Sequence, residues 1–299
     1  MLIKAADVFV GASVSIAHKL RIPTVIIGLT VVAFGTSAPE IVISVSAAIS
    51  GSSDLAIANA IGSNLFNLLF VVGFCAVIFP FALQMKDILR DYWVNVAATV
   101  ALLILVALFL GGQVPRWASL ILLVGFCVYI VIVVRTVLKN KAPEQASDSP
   151  QKPLWKSITI AVISIAVIMA GGQLTVFSAV NIATTLGVSE RIIGLTIVSV
   201  GTSLPELITT LIACKKKEGE FAIGFIIGSS IFNILIVLGL AGVIIPLSVD
   251  QGALFDIAVL TIGTLLFYRL AVSGKKIVRW EGALMLLLYV SYMTWILIK

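Results

Sequence analysis

The chain has 299 residues, of which 60% are hydrophobic and 11% charged, and its mean hydropathy is +1.18. Soluble globular domains carry about 25% charged residues, so this composition excludes an ordinary soluble protein and predicts a polytopic membrane protein. The formal net charge of +6 comes mainly from basic residues between the apolar runs, and it therefore does not indicate a nucleic-acid partner.

Nine apolar runs are long enough to cross a hydrocarbon core of about 30 Å as helices of about 20 residues. A partial run over 1–17 precedes them; its helix is either short, with Lys4 snorkelling, or shortened by the choice of start site. No barrel-like alternation is present, so the sequence predicts an all-α polytopic membrane protein with about ten transmembrane helices. The nine runs are 24–48, 56–80, 92–110, 117–137, 157–177, 192–213, 221–245, 253–272 and 280–298.

The basic residues are distributed unevenly between the two sides of the membrane. Assigning the loops alternately to the two sides places 16 of the 20 lysines and arginines on one side. Cytoplasmic loops carry an excess of such residues. We therefore expect both termini outside the cell and the 139–156 loop in the cytoplasm, in a multi-pass protein of the cell (plasma or inner) membrane.

The chain contains an internal repeat. Residues 28–81 align without a gap to residues 194–247, and 23 of the 54 positions are identical. The second copy begins five predicted spans after the first, and because five is odd, it enters the membrane with opposite polarity. Such an inverted-topology duplication, here of two five-helix repeats, is typical of secondary transporters, whose substrate site lies at the repeat interface. We divide the chain into a first half (1–138), a linker (139–156) and a second half (157–299).

The repeated motifs GTSAPE at 35–40 and GTSLPE at 201–206 place a proline and a glutamate inside apolar spans. Pro39 has no N–H, and its ring crowds the carbonyl of Gly35, so the helix is expected to open there; Pro205 and Gly201 repeat the pattern. Opened backbone at membrane depth is tolerated only where it lines protein or a watery cavity. Freed carbonyls in such a cavity are cation ligands.

Polar side chains at helical spacing accompany each motif and can face the same cavity. An ionised carboxylate at the bilayer centre costs at least about 2.5–3.5 kcal/mol, so cations or protons must occupy the site. The oxygen-rich set suits Ca²⁺, which prefers 6–8 hard oxygens, and the absence of imidazole and thiolate argues against Zn²⁺ and Cu. The set comprises Thr36, Ser37, Glu40, Ser63 and Asn67 in the first copy and Thr202, Ser203, Glu206, Ser229 and Asn233 in the second.

GTSAPE with GSNLFN (62–67), and GTSLPE with GSSIFN (228–233), resemble the paired alpha repeats of the sodium/calcium exchangers of prokaryotic type, within the cation/calcium antiporter superfamily. The resemblance covers essentially the whole chain, and it implies exchange of Ca²⁺ for Na⁺ by alternating access. It also implies that Glu40 and Glu206 are the central Ca²⁺ ligands. Thr36, Ser37, Thr202 and Ser203 would complete the Ca²⁺ and Na⁺ sites, Ser63, Ser229, Asn67 and Asn233 would line the cavity, and the carbonyls of Ala33 and Ser199 would contact Na⁺.

One departure leaves the coupling ion open. Many family members carry an aspartate where this chain has Asn67 or Asn233, and with two amides the site holds a charge of −2 when both glutamates are ionised. A Ca²⁺/H⁺ antiporter on the same fold is therefore the main alternative, and a passive cation channel is a second. The chain is not expected to be an enzyme, since no His or Lys base lies near Ser37 or Ser203. We expect no cofactor, no nucleic acid and no obligate protein partner, only the lipid bilayer and the transported ions.

Overall fold

The structure of the protein, a computed structural model, describes residues 1–82, 85–139, 153–187, 199–274 and 276–298. Most of the predicted linker 139–156, and the start of the second repeat copy at 194–198, lie outside these residues. The helices are α1 (Leu2–Leu20), α2 (Thr24–Ile27), α3 (Ala33–Thr36), α4 (Ala38–Ile49), α5 (Ser53–Leu65), α6 (Val72–Ile78), α7 (Met85–Leu108), α8 (Arg116–Lys139), α9 (Leu154–Thr185), α10 (Ser199–Thr202), α11 (Leu204–Lys215), α12 (Gly219–Phe232), α13 (Leu238–Ile244), α14 (Gln251–Gly274) and α15 (Arg279–Ile298).

Within the described residues, three stretches of wider π-helix join some of these helices into longer segments. Gly28–Val32 connects α2 to α3, Phe66–Val71 connects α5 to α6, and Asn233–Val237 connects α12 to α13. The last two occupy equivalent positions in the two repeat copies and include the motif residues Asn67 and Asn233. Single π turns inside helices are frequent at functional sites, and here both lie at the repeated asparagine.

By length and hydropathy, the described residues contain six helices able to cross a membrane: Ser53–Ile78, Ile88–Leu108, Arg116–Thr136, Leu154–Thr185, Gly219–Ile244 and Gln251–Ala271. A further candidate joins α1 to Thr24–Thr36 across a bend of 120°. Because α1 alone has 19 residues, or about 28 Å at the rise of an α-helix, we interpret this bend as the reversal between two separate crossings. Arg21, in the left-handed conformation with φ 56°, ends α1 there.

In the part of the chain that the structure describes, two short strand pairs connect loops at the ends of the bundle. The first joins β1 (Phe81–Ala82) to β4 (Lys276–Ile277), and the second joins β2 (Gln113–Val114) to β3 (Leu247–Ser248); both are antiparallel. In a ten-crossing chain, β1 and β4 belong to the third and ninth connections, while β2 and β3 belong to the fourth and eighth. Each pair therefore joins connections that alternating crossings place on the same side of the membrane.

The segment Gly219–Ile244 lies at the centre of the bundle. In its most apolar stretch of 18 residues, 94% is buried inside the protein, against 28% in the corresponding stretch of Arg116–Thr136. Its glycines permit backbone contact with the first half, since a Cβ on Gly228 would lie 2.5 Å from Leu29 O and one on Gly224 would lie 2.8 Å from Val25 O. Small residues of this kind allow membrane helices to approach closely, and here they bring α12 against residues 25–29, which precede the GTSAPE motif.

Candidate ion-binding site

Both motifs interrupt their helices, as the prolines predict. The first helix breaks at Ser37 (φ −79°, ψ 4°) between α3 and α4, and the second breaks at Ser203 (φ −92°, ψ 10°) between α10 and α11. Glu40 and Glu206 therefore lie in the first turns of α4 and α11. The positive end of the helix dipole favours a negative side chain there. Each half thus delivers one carboxylate at the start of a new helix.

The two carboxyls, one from each half, are buried next to each other. Glu40 is 1% exposed and Glu206 is fully buried, three residues after Ser203. Glu40 Oε1 accepts a hydrogen bond from Ser203 Oγ of the other half at 3.4 Å. The site therefore joins the halves and concentrates negative charge that a cation would neutralise.

Two serine pairs cross the repeat interface in matching positions. Ser37 Oγ lies 2.9 Å from Ser229 Oγ, and Ser203 Oγ lies 3.2 Å from Ser63 Oγ. The two pairs are equivalent. Each joins the serine of GTSAPE or GTSLPE in one half to the first serine of GSNLFN or GSSIFN in the other half. Gly228 makes the close helix contact, which leaves the neighbouring Ser229 to bond across the site.

Several buried oxygens at this interface have no hydrogen-bond partner. They are Glu40 Oε2, both carboxyl oxygens of Glu206, Asn67 Oδ1 and Asn233 Oδ1. Buried polar atoms are nearly always paired, and leaving one unpaired costs about 1–3 kcal/mol, more when it is charged. Oxygen atoms from carboxylates and amides are the ligands that Ca²⁺ takes. The cluster can therefore hold a hard cation.

Comparison with known proteins identifies the family. The model of the family described as "Sodium/calcium exchanger protein" matches residues 1–135 and 156–298. This chain belongs to the sodium/calcium exchanger family. The exchanger is thus a multi-pass membrane antiporter and not an enzyme, and the resemblance drawn from the motifs is confirmed.

Relatives and solved structures extend over nearly the whole exchanger. It is 39% identical to CaxA of Alkalimonas amylolytica, over 98% of this chain and 94% of CaxA. It is 31% identical to the sodium/calcium exchanger MaX1 of Methanosarcina acetivorans, over 98% of this chain and 94% of MaX1. A structure of the sodium-calcium exchanger NCX_Mj soaked with Na⁺ and Ca²⁺ superimposes with a TM-score of 0.83 at 32% identity, covering 98% of this chain and 94% of that one. These matches confirm the all-α inverted-repeat fold.

The exchanger's motif threonines lie across the interface from the opposite glutamates. Thr36 lies beside the Glu206 carboxyl, and Thr202 lies beside the Glu40 carboxyl. The Thr36 hydroxyl itself donates to the backbone oxygens of Val32 at 3.2 Å and Ala33 at 3.4 Å. Because the hydroxyl proton is directed at these backbone oxygens, the lone pairs of the Thr36 oxygen are available to bind a cation in this conformation.

The two backbone carbonyls expected to contact Na⁺ are placed differently. Ala33 is fully buried, and its carbonyl accepts both the Thr36 hydroxyl and the Ser37 N–H, the latter at 3.0 Å. Its oxygen is therefore already bonded within the protein in this conformation. Ser199 is the first residue of α10, one turn before the second break, and its role stays a prediction.

Sequence reasoning missed two buried asparagines on α5 that touch the site residues. Asn59 Nδ2 donates to Ser44 Oγ at 3.0 Å and to the Glu40 carbonyl at 3.4 Å. Asn64 bonds to Asn233 of the other half. The available signal was the polar residue inside an apolar span, but neither asparagine is repeated in the second copy, where Phe225 and Ser230 stand. Identity between the two copies therefore singles out neither asparagine.

One cavity reaches the second motif of the ion-binding region, and another opens at one end of the bundle. One, of about 320 Å³, lies between α4, α9 and the second motif and reaches Pro39, Thr202 and Pro205. The other, of about 890 Å³, lies at the end of the bundle held by β2 and β3, and Asp54, Asp250 and Asp256 are among its lining residues. Acidic walls of this kind raise the local concentration of cations.

Proposed function

We propose that this exchanger moves Ca²⁺ in exchange for Na⁺ by alternating access, with the ions held between Glu40 and Glu206. The observation that carries the proposal is the cluster of unpartnered buried oxygens contributed by both halves. Among the described residues no group of three His, Cys, Asp or Glu side chains could hold a metal ion. The two carboxylates are therefore combined with neutral hydroxyl, amide and backbone oxygens, a mixture suited to hard cations.

The charge of the site supports exchange. Two ionised glutamates carry −2, which one Ca²⁺ or two Na⁺ would neutralise. Because both cargoes satisfy the same buried charge, they compete for one site, as coupled counter-transport requires. Two protons would neutralise the same carboxyls, so Ca²⁺/H⁺ exchange is the competing function. The names of MaX1 and of NCX_Mj as sodium/calcium exchangers favour Na⁺.

In this proposal, each half supplies one carboxylate and a matching set of neutral oxygens. The glutamates bind Ca²⁺ directly, and the remaining residues complete the Ca²⁺ and Na⁺ shells as the site changes cargo. Those residues are Thr36, Ser37, Ser63, Asn67 and the carbonyl of Ala33 in the first half, and Thr202, Ser203, Ser229, Asn233 and the carbonyl of Ser199 in the second. In the present conformation, the Ala33 carbonyl would first have to exchange one of its hydrogen bonds for the ion.

The driving ion is tested in proteoliposomes. Vesicles loaded with Na⁺ are diluted into choline buffer containing radiolabelled Ca²⁺, with pH equal on both sides and a protonophore present. We expect Ca²⁺ uptake that requires internal Na⁺ and that the Glu40→Gln variant lacks. Uptake that ignores Na⁺ and needs a pH gradient would assign the protein to Ca²⁺/H⁺ exchange. Trans-stimulation by internal unlabelled Ca²⁺ distinguishes an exchanger from a channel.

We also propose that both termini face outward and the 139–156 loop faces the cytoplasm of a prokaryotic cell. After Cys75, Cys127 and Cys214 are replaced by alanine, single cysteines are introduced as Gln251→Cys and Ser147→Cys. A membrane-impermeant maleimide should label the first in intact cells and the second only after permeabilisation. The opposite labelling pattern would reverse the orientation.

A further inference from the structure

Asn64 is a buried side chain of the first half that contacts the second half. It is fully buried on α5, one residue after Ser63. Its Nδ2 donates to the backbone oxygen of Ser230 at 3.2 Å, and its Oδ1 accepts from Asn233 Nδ2 at 3.0 Å. Both bonds reach the central segment Gly219–Ile244, so the side chain joins the two halves beside the ion cluster.

These two bonds fix which way each amide faces. A backbone carbonyl only accepts hydrogen bonds, so the carbonyl of Ser230 requires the NH₂ group of Asn64. The Asn64 oxygen must then face Asn233. Because that oxygen only accepts, Asn233 must donate a hydrogen bond to it from its own NH₂ group. The Asn233 Oδ1 atom is left pointing away from Asn64, buried and without a partner. One backbone carbonyl thus determines, through two amides, which atom Asn233 offers to an ion.

The equivalent amide of the other half has no such arrangement. Asn67 is 1% exposed, and neither its Oδ1 nor its Nδ2 has a hydrogen-bond partner. The residue equivalent to Asn64 is Ser230, whose hydroxyl donates back to Ile226 O of its own helix at 3.0 Å. The orientation of Asn233 is therefore set by hydrogen bonds, while that of Asn67 is not.

We propose that Asn64 is a positioning residue that directs the Asn233 oxygen toward the transported cation. The inference rests on the proposed function, since it assigns Asn233 to the cation site. Without Asn64, the Asn233 amide can turn and present its NH₂ group, which repels a cation. Residues that orient a metal ligand in this way typically change metal affinity about 10- to 100-fold when they are mutated.

The test is Asn64→Ser, which gives the first half the residue that the second half already tolerates at the equivalent position. Ca²⁺ uptake is measured as a function of Ca²⁺ concentration in proteoliposomes, together with the melting temperature in detergent. We expect the KM for Ca²⁺ to rise about tenfold while the maximal rate changes much less. An unchanged KM overturns the inference, and so does a loss of maximal rate at constant KM. Asn64→Ala serves as a second variant if Asn64→Ser does not fold.

A double-mutant cycle separates positioning from general packing. If Asn64 acts through Asn233, adding Asn64→Ser to Asn233→Ala should leave the KM within about twofold of the Asn233→Ala value. Adding Asn64→Ser to Asn67→Ala should multiply the separate effects, because the structure gives no bond between Asn64 and Asn67. Multiplicative effects in the first cycle would show that Asn64 acts independently of Asn233 and overturn the inference.

The matched control and the wild type complete the experiment. Ser230→Ala keeps the backbone carbonyl that Asn64 uses and removes only the hydroxyl, so the KM should stay within about twofold of wild type. A KM shift in Ser230→Ala as large as that in Asn64→Ser would point to disturbed packing and overturn the inference. Failure of the proposed function would be seen in a different measurement, because wild-type Ca²⁺ uptake would then not depend on Na⁺. In that case, the KM for Ca²⁺ is measured with the ion that drives uptake.

Discussion

The two halves of the exchanger supply the same residues to the ion site but support them differently. Glutamate, threonine, serine and asparagine repeat at equivalent positions 166 residues apart. Around them, the first half places Asn59 and Ser44 in a hydrogen bond of 3.0 Å next to the Glu40 carbonyl. The second half has Phe225 and Thr210 at those positions, and the buried Thr210 hydroxyl has no partner.

This comparison separates the chemistry of the site from its support. Groups proposed to touch the ion must come from both halves, because one carboxylate and its neighbours cannot neutralise or surround a divalent cation. Groups that hold them need not match, because each half packs against different helices. Equivalent substitutions at ion ligands should therefore have similar effects, whereas equivalent substitutions in the supporting residues should not.

Replacing either glutamate tests the symmetric part of the comparison and should have the largest effect. Glu40→Gln and Glu206→Gln each remove half of the buried negative charge. Breaking a buried charge pair costs about 3–5 kcal/mol, so we expect Ca²⁺ exchange to fall more than about 100-fold in each variant, with the protein still monodisperse in detergent. Wild-type flux in both variants would contradict the proposed site.

Glu218→Gln is the matched control for these two variants. Glu218 is half-buried just before α12, at the end of the bundle rather than at its centre. The Ca²⁺ exchange rate of the Glu218→Gln variant should equal that of wild type. A comparable loss in this variant would mean that neutralising any acidic residue impairs the protein, and the central assignment of Glu40 and Glu206 would lose its support.

The motif serines sharpen the comparison, because their pairs are alike but only one reaches a carboxylate. Ser203 bonds to Ser63 and also to Glu40 Oε1 at 3.4 Å, whereas the hydrogen bond recorded for the Ser37 hydroxyl is the one with Ser229. Hydrogen bonds to charged groups contribute about 1.5–3 kcal/mol, against about 0.5–1.5 kcal/mol for neutral ones. Ser203→Ala should therefore raise the Ca²⁺ KM at least about tenfold, and Ser37→Ala less. Equal effects, measured in the same uptake assay, would contradict the asymmetry.

Much of the fold and part of the site follow from the sequence. The number of spans, the repeat and the proline in each motif are local or countable features, and they predicted the inverted duplication and an opened helix in each motif. The opening was expected at Gly35 and Gly201, and the structure places the breaks slightly later, at Ser37 and Ser203. The span predicted over 157–177 is instead Leu154–Thr185, a helix of 32 residues. Gly171, Gly172 and Gln173 weaken the apolar pattern there without ending the helix, because Gly172 packs against Pro205 and tertiary contacts maintain it.

The supporting contacts were not predictable from the repeat. Asn64 matters because its NH₂ group meets the carbonyl of Ser230, and that contact exists only once α5 and α12 pack together. The repeat offset makes Asn64 and Ser230 equivalent positions, but equivalence in the sequence does not show that the two residues are in contact. The β1–β4 and β2–β3 pairs are hidden for the same reason, since each strand has only two residues.

Asn59 offers a test of the first half's own support, with an effect smaller than those of the motif residues. Asn59→Leu removes the bonds to Ser44 Oγ and the Glu40 carbonyl but keeps the branched shape of the side chain. Net hydrogen bonds contribute about 1 kcal/mol each, so we expect a lower melting temperature and a modest rise in the Ca²⁺ KM. Ser44→Ala removes only one of the bonds and should have the smaller effect. The reverse order would show that Ser44 contributes independently of Asn59.

The smallest effect is expected at an ion pair that only one half possesses. Lys216, just after α11, lies with its Nζ 3.1 Å from Asp7 Oδ1 and 2.6 Å from the Asp7 backbone oxygen on α1. The equivalent positions in the other half are Ser50 and Gln173, which cannot form an ion pair. Both side chains are partly exposed, at 31% and 59%, and exposed pairs contribute about 0–1 kcal/mol.

Asp7→Asn should therefore leave Ca²⁺ exchange nearly unchanged, because Lys216 keeps its bond to the backbone oxygen. Lys216→Met removes both contacts and should lower the melting temperature slightly more than Asp7→Asn, as measured in the same detergent. High salt should reduce the difference between wild type and Asp7→Asn, since it screens exposed charges. A loss of exchange in Asp7→Asn comparable to that in Glu40→Gln would mean that the contact between α1 and the end of α11 is part of the transport cycle rather than local support.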